Sequence, residues 1–201
     1  MSKKIILSVF IGILFLGLAG ILLNGPYFWK VWTNSWSKDD RQHQSTNSTG
    51  DISEQRRSEP NTLIVPSLNI TAPIVKPQES TEKSYQEALQ NGVAHFPGTA
   101  EVGEVGNAYI FGHSSDMLLA PGSFKTIFAL LPQIEIGAEI LVSNNNGEQF
   151  RYLVTEKFVV ENNQTEVLSQ DTNGKQVLTL QTSYPLGTAL KRFIVKSELS
   201  K

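Results

Sequence analysis

Residues 177–196 read Val-Leu-Thr-Leu-Gln-Thr-Ser-Tyr-Pro-Leu-Gly-Thr-Ala-Leu-Lys-Arg-Phe-Ile-Val-Lys. Two β-rich runs, Val177–Thr182 and Arg192–Lys196, flank a loop that contains Pro185 and Gly187. Pro and Gly are the strongest local turn signals, so the stretch predicts two paired strands with a polar group at each junction. Ser183 stands at the end of the first strand and Arg192 at the start of the second. Working back from this pair, Ala108–Gly112 is a compact apolar strand that ends at His113, followed by Ser114, Ser115 and Asp116. A hydroxyl, an imidazole and a guanidinium held on rigid strand ends form a set that suits acyl transfer, which needs a nucleophile, a proton shuttle and a fixed positive charge.

The surrounding elements are mostly short strands. Thr62–Val65 and Ile70–Val75 are β-rich and interrupted by proline, as edge or entry strands are. Glu139–Val142 and Gln149–Val160 flank Asn145-Asn146-Gly147, whose Asn-Gly pair predicts a hairpin turn with positive φ values. Ser84-x-x-Glu87 resembles a capping box and predicts a short helix over Tyr85–Gln90 that Gly92 ends. Phe124–Leu131 has helical spacing, while Phe96–Gly106, rich in Gly and Pro, is expected to be an ordered loop. Many short strands, one or two short helices and no βαβ rhythm predict a mainly β protein, a small closed mixed barrel.

That domain is expected over residues 62–201. Residues 34–61 are almost devoid of apolar side chains and read as a flexible polar stalk, because such a stretch cannot bury enough surface to offset its ordering entropy. His43 is a solvated residue of this stalk. Residues 1–33 begin with Lys3 and Lys4 and continue as an uncharged apolar run from Ile5 to Leu23. As a helix the run spans roughly 28 Å, close to the hydrocarbon thickness of a bilayer. Tyr27, Phe28, Lys30 and Trp32 follow as an aromatic and basic belt. A cleaved signal peptide is the alternative; the run is long for one, and no clear A-x-A site follows. The expectation is a single transmembrane helix in the cell membrane, N-terminus inside, with the folded domain on the extracytoplasmic side.

Composition removes several classes of function. The net charge of −2 and the pI near 5.9 give no basic surface for nucleic acid. There is no cysteine, so disulfides, thiolate metal sites and thiol nucleophiles are excluded. Glu101 and Glu104 are two carboxylates of a solvated loop, and no metal or cofactor is expected.

The motifs that carry most information are Gly92-Val93-Ala94-His95-Phe96-Pro97-Gly98-Thr99, Gly103 to Asn107, and Ile110-Phe111-Gly112-His113. With Leu178-Thr179-Leu180-Gln181-Thr182-Ser183, Pro185-x-Gly187-Thr188 and Arg192-Phe193-Ile194-Val195, they resemble the sortases over nearly the whole domain from Leu63 onward. The short loops and the Pro185-x-Gly187-Thr188 that follows the nucleophile position look most like class D or E members. The resemblance implies a transpeptidase that cleaves a C-terminal sorting motif of a secreted protein. It implies transfer of the acyl group to an amine of the cell wall or a pilin. It makes His113 the residue that protonates the leaving amine and deprotonates the incoming one, and Arg192 the residue that stabilises the oxyanion or positions the peptide. His95 matches a frequent histidine of the group, with a structural or rim role.

The nucleophile position, T-L-x-T-C in the family, falls here on Ser183. A thiol ionises near pH 8.5, whereas an alcohol must give its proton to a base during attack. Asp116 and Asp171 are candidates for a third triad member by residue type only. The serine fits an engineered substitution, a natural serine-bearing homologue with altered activity, or an inactive peptide-binding or envelope-organising protein on the same fold.

Overall fold

The computed structural model describes residues 59–115 and 122–200. The apolar run, the stalk as far as residue 58, and Asp116 lie outside the described residues. Among the described residues no helix is long and apolar enough to cross a membrane.

Eight strands close into a barrel in the order β1-β2-β3-β4-β7-β8-β6-β5. They are β1 (Thr62–Val65), β2 (Ile70–Val75), β3 (Val93–His95), β4 (Gly106–Phe111), β5 (Glu139–Ser143), β6 (Gln149–Glu161), β7 (Gln176–Tyr184) and β8 (Lys191–Leu199). The pairs β2–β3 and β4–β7 are parallel and the others antiparallel, so the barrel is mixed as expected. The expected bounds of β1 and β2 match those observed, whereas β7 and β8 run further than expected. Ser183 and Arg192 therefore lie inside paired strands rather than at their margins.

Strand alternation fills the interior. Leu63, Val65, Ile110, Ile140, Val142, Leu178, Leu180 and Val195 are wholly buried and meet inside the barrel with Phe128, Leu130, Leu131 and Tyr152. The opposite faces of β4 and β7 carry Tyr109, Phe111, Gln181 and Ser183, which point out of the barrel. On that outer face a helix, α1 (Glu82–Asn91), buries Ala88 and Leu89 against Ala94, Val75 and Phe111.

The helix starts earlier than its expected capping box. Thr81 is the N-cap, and its hydroxyl accepts from the Ser84 amide at 3.3 Å. Ser84 stands in the first turn, where its hydroxyl accepts from the Glu79 amide at 3.2 Å. The hairpin between β5 and β6 is present, but only Gly147 of the Asn-Gly pair has positive φ, at 78°. Its amide donates to Asn144 O at 3.1 Å, and the Asn144 side chain accepts from the Asn146 and Glu148 amides, which removes the need for a second left-handed residue.

Phe124–Leu131 is not the helix its spacing predicts. It is a run of tight turns leading into a 3₁₀ turn, Leu131–Gln133, with Ile127 N bonded to Phe124 O, Ala129 N to Thr126 O and Leu131 N to Phe128 O. The Phe128 amide, which a helix would direct to Phe124, donates instead to His113 O at 2.9 Å. Pro132 has no N–H to extend the ladder.

Candidate active site

The outer face of β4 and β7 forms the floor of a groove with a volume of about 910 Å³. Glu82, Tyr85, Gln86 and Leu89 of α1 make one wall, and Asn162, Gln164, Thr165, Val167 and Leu168, in the loop between β6 and β7, make the other. Gly187, Thr188 and Ala189 of the β7–β8 loop also line the groove, as do His113, Ser183 and Arg192.

Register explains why these three meet. β4 and β7 run parallel with Phe111 beside Gln181, and the Gly112 amide continues the ladder by donating to Gln181 O at 3.1 Å. The Thr182 hydroxyl, buried beneath this rung, donates to Gly112 O at 2.9 Å. One residue further, His113 leaves β4 at the level of Ser183, its carbonyl held by the Phe128 amide. On the opposite side β7 pairs with β8, and Ser183 faces Arg192. Ser183 and Arg192 thus stand opposite each other on β7 and β8, one strand spacing apart, roughly 5 Å in backbone terms, and His113 follows two residues after the last β4–β7 pair.

Gly112 fits only because it lacks a side chain. A Cβ there would lie 2.7 Å from Cδ2 of Phe128 and 3.1 Å from Cγ1 of Val93. Both residues are wholly buried and have nowhere to go.

The Arg192 guanidinium folds over the β7–β8 loop. Its Nη1 donates to Ala189 O and to Lys191 O, each at 3.0 Å. That loop is tied to the His113 segment, because the Gly187 amide donates to Ser115 Oγ at 3.0 Å. Ser183 is partly exposed, and among the described residues its hydroxyl makes no hydrogen bond. A Ser–His bond of the serine-hydrolase type is therefore not preformed here.

The floor beyond Ser183 is aromatic. Phe96 stacks near Tyr109 and Phe111, with ring centroids 6.0 and 6.1 Å apart, and Tyr85 meets Phe111 edge-on at 5.5 Å. The Tyr109 hydroxyl donates to Gln181 Oε1 at 2.6 Å. Burial pushes the Tyr109 phenol well above its ordinary range, and the positive charge of Arg192 partly offsets this.

The other candidates fall elsewhere. His95 is buried, does not line the groove, and donates from Nε2 to Ala100 O at 2.9 Å, so it clamps the loop after β3. Asp171 is exposed on a separate polar recess, where its carboxylate accepts from the Asn173 amide at 3.3 Å. Glu101 pairs with Lys76 at 2.7 Å. Among the described residues no three His, Asp or Glu side chains are grouped as metal ligands. Tyr109, Gln181, Thr182 and Gly112 were not among the sequence candidates. Alternation along β4 (Tyr109, Phe111, His113) and β7 (Gln181, Ser183) is the signal that places the first two on the groove.

This barrel and groove have known counterparts. The sortase domain family matches residues 63–200. The Clostridium perfringens sortase D5 transpeptidase is similar at 26% identity and a TM-score of 0.57, over 70% of this chain and 78% of its own. Sortase C-1 from Actinomyces oris is similar at 26% identity and a TM-score of 0.57, over 70% of this chain and 72% of its own. Sortase A from Corynebacterium diphtheriae, at 23% identity and a TM-score of 0.57 over 70% of this chain and 60% of its own, shares the fold. No curated protein sequence matches the chain. The chain belongs to the sortase family, and its barrel is that of a sortase-type transpeptidase. Equal TM-scores to these class D, C and A structures do not single out the class D or E likeness expected from the short loops and Pro185-x-Gly187-Thr188.

Proposed function

We propose that the groove seats an extended C-terminal sorting peptide of a secreted protein, with its scissile carbonyl at Ser183, and transfers the acyl part to an amine of the cell wall or a pilin. The presence of His113, Ser183 and Arg192 together in the lining of a peptide-sized groove carries this reading. Ser183 Oγ attacks the carbonyl carbon while its proton passes to His113. The C–O bond forms, and negative charge collects on the former carbonyl oxygen, where Arg192 offsets it. The C–N bond then breaks, His113 returns the proton to the leaving nitrogen, and an ester remains on Ser183. The incoming amine gives a proton to His113, attacks the ester carbonyl and releases the Ser183 hydroxyl. The apolar run over residues 5–23 supports an anchored domain working outside the membrane.

The absence of a hydrogen bond on the Ser183 hydroxyl among the described residues makes the first step slow. An alcohol without a base in contact is a weak nucleophile, whereas a thiol in the same place ionises within reach of neutral pH. The same observation favours a second reading, in which the serine form binds sorting peptides and does not turn them over. Incubation with a peptide library, read by intact mass, separates the two. An adduct on Ser183→Cys and a slower one on the serine form support transfer; an adduct on the cysteine form alone supports binding without turnover. No adduct on either removes the peptide-cleaving reading.

A further inference from the structure

Gln181 lies two residues before Ser183 on β7, on the same face, and lines the groove. Side chains two apart on a strand are separated by roughly 6.6 Å, the same repeat as an extended peptide laid alongside. The Gln181 amide does not rotate freely, because Tyr109 Oη stands 2.6 Å from Oε1. That separation suits O–H···O and is short for N–H···O, so the oxygen faces the tyrosine. Tyr109 is itself held by burial and by ring contact with Phe96. Among the described residues Nε2 of Gln181 makes no hydrogen bond, although the residue is only partly exposed. The result is a pinned amide with an unused N–H pair beside the nucleophile position.

Resting on the peptide-groove reading above, we infer that Gln181 is a positioning residue whose Nε2 donates to a backbone carbonyl of the acyl half of the bound peptide. We assign the acyl half to the Gln181 side, where Tyr85, Phe96, Tyr109, Phe111 and Gln181 line the groove. The half that stays attached after cleavage is also the half that needs holding. Tyr109 acts through Gln181, by choosing which end of the amide faces the groove. The phenol, whose ordinary pKa near 10 already lies above working pH, keeps its proton to donate.

The test uses the protein with Ser183 in place and the tightest binder from a randomised N-acetylated hexapeptide library. Each backbone amide of that peptide is replaced in turn by its E-alkene isostere, and affinities are read by fluorescence anisotropy. Gln181→Glu keeps the acceptor for Tyr109 and loses the donor; Gln181→Met loses both. Both variants are expected to weaken the parent peptide by about five-fold, the net worth of one hydrogen bond. One isostere is expected to weaken binding to the unchanged protein by a similar factor and to show no further loss on either variant. Parent binding unchanged in Gln181→Glu, or losses that simply multiply for every isostere, would overturn the assignment while leaving the groove reading standing. Failure of the unchanged protein to retain any library member would overturn both.

Discussion

At the scale of single residues, Ser183, Arg192 and Gly112 carry distinct and separable demands. Replacing Ser183 by Cys puts the only thiol of the chain in the lining of the groove. Acyl transfer is expected to rise by at least ten-fold over the serine form, measured as incorporation of a labelled amine. Arg192 spends one nitrogen on the carbonyls of Ala189 and Lys191, which leaves the other N–H groups of its guanidinium for a substrate oxygen. Arg192→Ala in the Ser183→Cys background is expected to lower transfer about 100-fold, and Arg192→Lys to restore little of it. Gly112→Ala forces a methyl against the buried ring of Phe128. We expect a loss of about 1–3 kcal/mol in denaturant unfolding. Transfer by the cysteine form should fall too, because Phe128 also holds the His113 carbonyl.

At the scale of elements, the parts that were legible in the sequence are those governed by local chemistry. Thr62–Val65 and Ile70–Val75 are bounded by proline and turn residues and are seen as expected. The misread elements are those where a distant partner takes a backbone group. Phe124–Leu131 has helical spacing, yet its Phe128 amide bonds to His113, a contact between segments that no local pattern announces. The start of α1 differs because the hydroxyl that caps it is that of Thr81, whereas Ser84 accepts from the Glu79 amide ahead of the helix, a contact its capping-box spacing does not announce. Thr81→Ala should cost about 1 kcal/mol of stability in chemical denaturation. It should also loosen the groove wall that carries Tyr85. At the site, His113, Ser183 and Arg192 were legible as polar groups at strand ends. Gln181 was not, because its role depends on a parallel neighbour, β4, more than sixty residues earlier in sequence.

For the molecule as a whole, the barrel interior and the groove share a boundary made of β4 and β7, one face of each strand serving each side. Stability and site geometry are coupled through this wall. Its titration behaviour follows. Tyr109 and Tyr152 are buried, and burial raises both phenols above their ordinary value near 10. The folded state thus holds these protons more tightly than the unfolded chain. The stability they contribute is complete below about pH 10 and is lost as pH rises beyond it. Unfolding free energy measured between pH 9 and 11.5 should stay level to about pH 10 and fall above it, and Tyr152→Phe should reduce the slope of the fall.

The central claim is that residue 183 sits in a working sortase-type site flanked by His113 and Arg192, and that the serine oxygen alone limits the chemistry. Labelled-amine transfer from a library-selected sorting peptide, compared between Ser183→Cys and Ser183→Cys with His113→Ala, tests it most directly. We predict steady transfer by the first and a loss of at least 100-fold in the second. Equal rates in the two, or no transfer by either while both remain folded, would contradict the account.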